Sequence, residues 1–237
     1  MNRGKLYLIP VYLSKEKKGD IIPESISLRI KNIDLFIVEN IREARRNIKK
    51  IFPDKDLNKT TFFLNGKHNI FDIKKNFLDN INKGRDLGLM SDAGTPCVAD
   101  PGSKIVNYAH LNNVKVIPMV GPSSVLLALM GSGMNGQKFT FNGYLPINNN
   151  ERKKSIKKIE HLARNEYSTQ IFIETPFRNK QLLESILDNC KEDTQLCVAT
   201  NLTGNNESII SKKIIEWKKI KIDIHKSPSI FLISYKN

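Results

Sequence analysis

Apolar residues along this chain gather in short unbroken runs, and between the runs they return every third or fourth position. The runs at 5–9 (KLYLI), 34–38 (DLFIV), 61–64, 86–90 (DLGLM), 114–118 (VKVIP), 139–141 (FTF), 170–174 (QIFIE), 195–200 (QLCVAT) and 229–235 (SIFLISY) are flanked by turn-forming residues and predict strands. Helical spacing predicts helices at 23–33, opened by Pro23, at 41–51 (IREARRNIKKI), and at 69–81, where Ile70, Ile73, Phe77, Leu78 and Ile81 share a face. Further helices are expected at 103–111, from 123 through the small-residue run SSVLLALMGSGM, at 151–164 (ERKKSIKKIEHLAR) and at 177–189. From 201 to 217 a polar loop is expected, then a short amphipathic segment ending near Trp217. Strands that alternate with helices imply an α/β chain whose sheet is mainly parallel and covered by helices. A boundary near Val120 divides it into 1–119 and 120–237.

Composition narrows the class. At 237 residues, 40% hydrophobic and 26% charged, the chain is long enough to bury a core and reads as ordinary soluble globular material. The longest apolar stretch, 125–130, is far short of the roughly 20 residues a membrane span needs. No charged region, apolar core and cleavage site precede LYLI, so no signal peptide is expected, and a cytoplasmic location is. Cys97, Cys190 and Cys197 lack CxxC spacing, and His68, His110, His161 and His225 form no i, i+4 pair; neither a disulfide framework nor a metal site is expected. The net charge of +14 suggests a polyanion such as RNA. An excess of Lys over Arg with abundant Ile and Asn is also what an AT-rich genome produces, so charge alone leaves both readings open.

Two strand ends carry the candidate chemistry. After 86–90 comes Ser91-Asp92-Ala93-Gly94-Thr95-Pro96, and after 114–118 comes Met119-Val120-Gly121-Pro122-Ser123-Ser124. In open α/β sheets ligands bind beyond the carboxyl ends of strands, where small residues let the backbone approach. Either loop is also readable as a plain helix start with an N-cap, although Asp100-Pro101-Gly102 offers a separate start for the helix after the first. No GxxxxGK[ST] or GxGxxG is present. Glu39 and Glu174 end two other strands and are candidate general bases, or caps of the elements that follow. Arg152, Lys153, Lys154, Lys157 and Lys158, with Arg42, Arg45, Arg46, Lys49 and Lys50, form two basic helices suited to phosphates or to a solvated face. Aromatic residues are not interleaved with these charges, so stacking on single-stranded bases is not signalled.

GKLYLIP, DLFIVEN followed shortly by Arg42, GLMSDAGTPCVADPG, VKVIPMVGPSS, FNGYLP, IFIETPFR and NLTGNNE stand in an order that resembles the 16S ribosomal RNA cytidine 2'-O-methyltransferase family. That family is a branch of the tetrapyrrole methylase superfamily, the class III S-adenosylmethionine-dependent methyltransferases, and the likeness runs from residue 5 to residue 236. The resemblance implies a two-domain α/β fold with a mainly parallel N-terminal sheet and a mixed C-terminal one, a homodimer, and S-adenosyl-L-methionine in a cleft between the domains. Carried over by position, it implies cofactor contacts from Leu13, Asp92, Thr95, Ser123, Ser124, Ile173, Ala199 and Ser229. It implies methylation of a ribose in small-subunit ribosomal RNA, with the naked RNA or the small ribosomal subunit as partner and Arg42, Arg152, Lys153 and Lys154 gripping its backbone. The first loop departs from the family's PxPxGN, reading Pro10-Val11-Tyr12-Leu13-Ser14-Lys15; Asn40 replaces the second acid after DLFIV, and Asn201-Leu202-Thr203-Gly204 stands for ELTK. No counterpart of the family's small C-terminal extension is expected after the last strand. Cofactor use survives these departures better than substrate identity, so a tetrapyrrole or other metabolite as acceptor, and an inactive RNA-binding relative, stand as alternatives.

Overall fold

The computed structural model describes residues 3–16, 21–65 and 70–235. His68 and Asn69, the expected start of the third helix, lie outside these, as do residue 236 and the side chains of Ile70 and Ile73. The chain forms two compact units, Met1–Ser123 and Ser124–Asn237.

In the first unit β1 (Leu6–Leu8), β2 (Leu35–Val38), β3 (Thr61–Leu64), β4 (Leu87–Met90) and β5 (Val116–Pro118) make one sheet in the order β3-β2-β4-β1-β5. Every pairing is parallel. Helices α1 (Glu24–Asn32), α2 (Ile41–Ile51), α3 (Ile70–Asn82) and α4 (Ser103–Leu111) connect the strands. Because side chains alternate along a strand, each run feeds two cores. Leu6, Leu35, Ile37, Leu87 and Leu89 pack with Phe77 and Ile81 of α3 and Ile105 and Ala109 of α4. Tyr7, Phe36, Val38 and Met90 pack with Ile26 and Ile30 of α1 and Ala44 and Ile48 of α2. A sheet buried on both faces explains why its strands read as continuous apolar runs. Parallel pairing also brings the carboxyl ends of all five strands to one edge, and there the loops 9–13, 39–40, 91–97 and 119–123 emerge.

The second unit is mixed. Its strands β6 (Phe139–Tyr144), β7 (Thr169–Ile173), β8 (Gln195–Thr200), β9 (Ser208–Lys213) and β10 (Ser229–Ser234) run in the order β6-β7-β10-β8-β9. Only β6 and β7 pair in parallel; the remaining pairs are antiparallel. Phe172, Leu196, Val198, Phe231 and Ile233 form one core with Ile156 and Ile159 of α6 (Asn149–Asn165) and Leu182 and Ile186 of α7 (Asn179–Asn189). The opposite face carries α5 (Ser124–Ser132), packed over β8, β9 and β10. Trp217, the single tryptophan, ends the short α8 (Ile214–Trp217); it is buried and donates its indole N–H to the Leu196 carbonyl at 2.7 Å. The sequence reading missed β9, expecting a loop there. This edge strand, SIISKK, has only Ile209 and Ile210 to mark it, and both are half-buried.

Candidate active site

At the carboxyl edge of the first sheet, backbone contacts and close packing interlock the loops. The Val11 N–H donates to the Gly94 carbonyl at 2.9 Å, joining the β1 loop to the β4 loop. The Thr95 hydroxyl donates to the Pro122 carbonyl at 2.9 Å, joining the β4 loop to the β5 loop. Gly94 has φ +69°, and a Cβ there would stand 2.7 Å from Leu13 Cδ2 and 3.3 Å from the Pro122 carbonyl oxygen. A Cβ on Gly121 would stand 2.3 Å from Pro10 Cβ. Both glycines are required by contact, since no larger residue allows the loops this near to one another.

The β2 and β4 loops are tied by a reciprocal pair. The Asp92 N–H donates to Glu39 Oε1 at 3.2 Å, and the Asp92 carboxylate accepts the Asn40 N–H. Asn47, on the buried side of α2, donates to the Asp92 carbonyl at 3.3 Å. The sequence reading did not single out Asn47; its signal was an amide where the period of α2 calls for an apolar residue.

The capping alternatives are decided here. The cap of α2 is Asn40, whose side chain accepts from the Arg42 and Glu43 N–H groups, so Glu39 is free to face Asp92. Helix α4 starts only at Ser103, beyond the Asp100 turn, where Asp100 Oδ1 accepts the Gly102 N–H at 2.7 Å. Within SDAGTP the Ser91 hydroxyl turns to the Ala93 carbonyl, so none of its hydroxyls caps a helix. An irregular loop that caps nothing, buried at its glycine and exposed at Asp92, is left with its backbone and one carboxylate for a ligand.

Electrostatics single out the same edge. Burial raises the pKa of Glu39, and the negative charges of Asp100 and Asp92 add to this against the Asp92 N–H bond. Burial also raises Asp92, with Glu43 contributing, and raises Asp100 against three backbone N–H donors. Cys97, half-buried beside Asp100 in a left-handed conformation (φ 71°), is pushed up to about 11 and stays a thiol at neutral pH. In a chain of net charge +14, two half-buried carboxylates, Glu39 and Asp100, beside the exposed Asp92 at one sheet edge favour a cationic ligand.

In the second unit, Ile173, Ile230 and Ala199 lie side by side across β7, β10 and β8, with Ser229 next to Ile230 at the start of β10. Three of the expected contacts, Ile173, Ala199 and Ser229, thus share one end of that sheet, and Ser124 begins α5. Glu174 follows at the same end but is engaged. Its Oε1 accepts the Thr175 N–H and two bonds from Arg178, Nη2 at 2.6 Å and Nε at 3.0 Å. With its side chain only 2% exposed, it fastens the turn that follows β7, although the cap position of that turn is Thr175 and Glu174 caps no helix.

The basic set needs one correction. Arg42, Lys153 and Lys154 are exposed, whereas Arg152 is 2% exposed and turned inward. Its guanidinium donates to Ser185 Oγ, the Ile147 carbonyl and Asn149 Oδ1, so it braces α6 and is unavailable to a phosphate. Of α2, Arg46 is paired with Glu43 at 2.9 Å.

No family model matches the chain. It is 29% identical over 233 residues to the ribosomal RNA small subunit methyltransferase I of Buchnera aphidicola, covering 97% of this chain and 78% of the relative. It is 30% identical over 211 residues to the protein of the same name from Vibrio cholerae, covering 89% and 69%. Among solved structures, the uroporphyrin-III C-methyltransferase of Thermus thermophilus complexed with S-adenosyl homocysteine superposes with a TM-score of 0.57 at 13% identity, covering 98% of this chain and 97% of that one.

Proposed function

Because the chain belongs to the ribosomal RNA small subunit methyltransferase I family, we propose that it transfers the methyl group of S-adenosylmethionine to a ribose 2'-hydroxyl of small-subunit ribosomal RNA. The observation that carries this reading is the interlocked edge of the first sheet, where Gly94 and Gly121 allow close loop approach and Asp92 and Glu39 face each other across β2 and β4. Those residues suit a cationic methyl donor. Asp92 would hold its polar groups, the backbone of 93–95 and Ser123 would border it, and the desolvated carboxylates would favour its positive charge. Further contacts are assigned to Leu13, Thr95, Ser124, Ile173, Ala199 and Ser229. The donor supplies, when bound, a methyl carbon activated by an adjacent sulfonium.

The protein's own task is alignment and proton removal. Holding reactants in near-attack geometry supplies much of such a rate. A ribose hydroxyl must also lose its proton as it attacks. Glu39 is the assigned acceptor: burial raises its pKa and makes it a stronger base than an ordinary carboxylate. Glu174, its second candidate, is held by Arg178 and is assigned to fixing the turn. Arg42, Lys153 and Lys154 would meet the RNA backbone. The homodimer that the resemblance implies, in the cytoplasmic location that the sequence suggests, completes the reading.

The test is transfer of labelled methyl from S-adenosylmethionine to small ribosomal subunits from cells lacking this gene, followed by nuclease digestion and mass spectrometry. The expected result is label in one 2'-O-methylated nucleoside, lost with Asp92→Ala. Unlabelled RNA with a folded, cofactor-binding protein would contradict it and turn the search to tetrapyrroles and other metabolites.

A further inference from the structure

Phe177 is 69% exposed, yet its position is fixed on every side. It sits in the 3-10 turn Pro176–Arg178 that follows β7. Arg178 is anchored to buried Glu174, and the fully buried Asn179 donates to the Ser227 carbonyl at 2.6 Å and to Ser229 Oγ at 3.1 Å. The Lys226 N–H closes the arrangement on the Pro176 carbonyl at 3.1 Å. Two segments about fifty residues apart in sequence are thereby stitched together under one aromatic ring. The ring meets His225 edge to face, with centroids 6.3 Å apart and planes at 76°. Lys226 Nζ stands 5.9 Å from its centroid. His225, Lys226 and Lys180 are themselves exposed.

A phenylalanine left in water forgoes about 2 kcal/mol of burial, and nothing in this unit's core needs the ring. What the grouping offers is a rigid flat apolar surface beside a cation. A nucleobase stacks on such a surface without regard to its identity, while a nearby lysine meets the phosphate of the same nucleotide. The net charge of +14 favours a polyanion over a protein surface as the occupant.

We propose that Phe177, flanked by His225 and Lys226, is a stacking platform for an unpaired base of the RNA substrate. The proposal rests on the ribosomal RNA reading and deepens it: the substrate would be presented as an unstacked or single-stranded nucleotide.

The experiment is fluorescence anisotropy with a labelled single-stranded RNA dodecamer, and with the same oligonucleotide carrying abasic sites, at fixed salt. Phe177→Ala should weaken binding of the intact oligonucleotide about 5- to 100-fold, and Phe177→Tyr should restore it. The abasic oligonucleotide should bind both proteins alike. Lys226→Gln should lower the salt dependence by about one unit of slope while sparing base dependence. Unchanged Phe177→Ala affinity beside a wild type that binds RNA overturns the platform and leaves the methyltransferase reading intact. A wild type that does not bind the dodecamer also overturns the platform, and label transfer to small ribosomal subunits then decides the methyltransferase reading separately. If Phe177→Ala instead weakens S-adenosylmethionine in calorimetry and leaves RNA unaffected, the ring serves the cofactor and the platform is wrong. Because the ring is exposed, the variant's melting temperature should match wild type, which separates these outcomes from misfolding.

Discussion

The loop edge of the first sheet and the loop end of the second are built by different means. At the first, backbone meets backbone: Val11 bonds Gly94, Thr95 bonds the Pro122 carbonyl, and two glycines allow the approach. At the second, side chains do the fastening, with Glu174 holding Arg178 and Asn179 holding the 227–229 segment. The first arrangement leaves the Asp92 side chain exposed at the sheet edge. The second spends its polar groups on itself and leaves an aromatic ring outside. A region organised by backbone is intolerant of added atoms, and a region organised by side chains is intolerant of lost ones.

The largest expected effect falls on activity. Glu39→Gln keeps an oxygen for the Asp92 N–H but loses the base, so turnover should fall about 10²- to 10⁴-fold with cofactor binding preserved. In the wild-type protein kcat should rise with pH through a carboxylate titration lying above the ordinary range, and Glu39→Gln should lose that limb. Next, Arg178→Ala leaves Glu174 buried with only the Thr175 N–H, and should cost roughly 3 kcal/mol in urea unfolding, the low end for breaking a buried pair. Gly121→Ala drives a methyl into the Pro10 ring. It should cost about 1 to 3 kcal/mol and weaken cofactor binding, whereas loss of stability with unchanged binding would separate this contact from the site.

The smallest effect has the opposite sign. A carboxylate whose pKa is raised by folding gives stability below its unfolded pKa that is lost as pH rises through the folded one. Glu39→Gln should therefore melt higher than wild type near pH 7, and the two should converge as pH falls through the ordinary carboxylate range. A variant that is more stable and less active would mark Glu39 as held in place for function.

Much of this was legible in the chain because periodicity reports burial. The first sheet, buried on both faces, reads as continuous runs such as DLFIV, and SDAGTP stands out as a turn-rich string at a strand end. Strand β9 was not legible, since an edge strand with two half-buried isoleucines carries almost no pattern. Arg152 looked equivalent to Lys153 in sequence; only packing shows that its side of α6 faces Ser185. Glu39 and Glu174 looked alike too, until one proved to face Asp92 and the other Arg178. Base stacking was not signalled because Phe177 and its partners His225 and Lys226 are far apart in sequence and meet only through the fold.

The central claim is that the interlocked edge of the first unit holds the methyl donor through Asp92. It is tested most directly by calorimetry of S-adenosylmethionine against the wild-type chain and Asp92→Ala. The expected result is saturable heat from wild type and roughly 10- to 100-fold weaker binding by a variant that remains folded, as loss of a hydrogen bond to a charged group requires. Equal affinity in both proteins, or no heat from folded wild type, would contradict it.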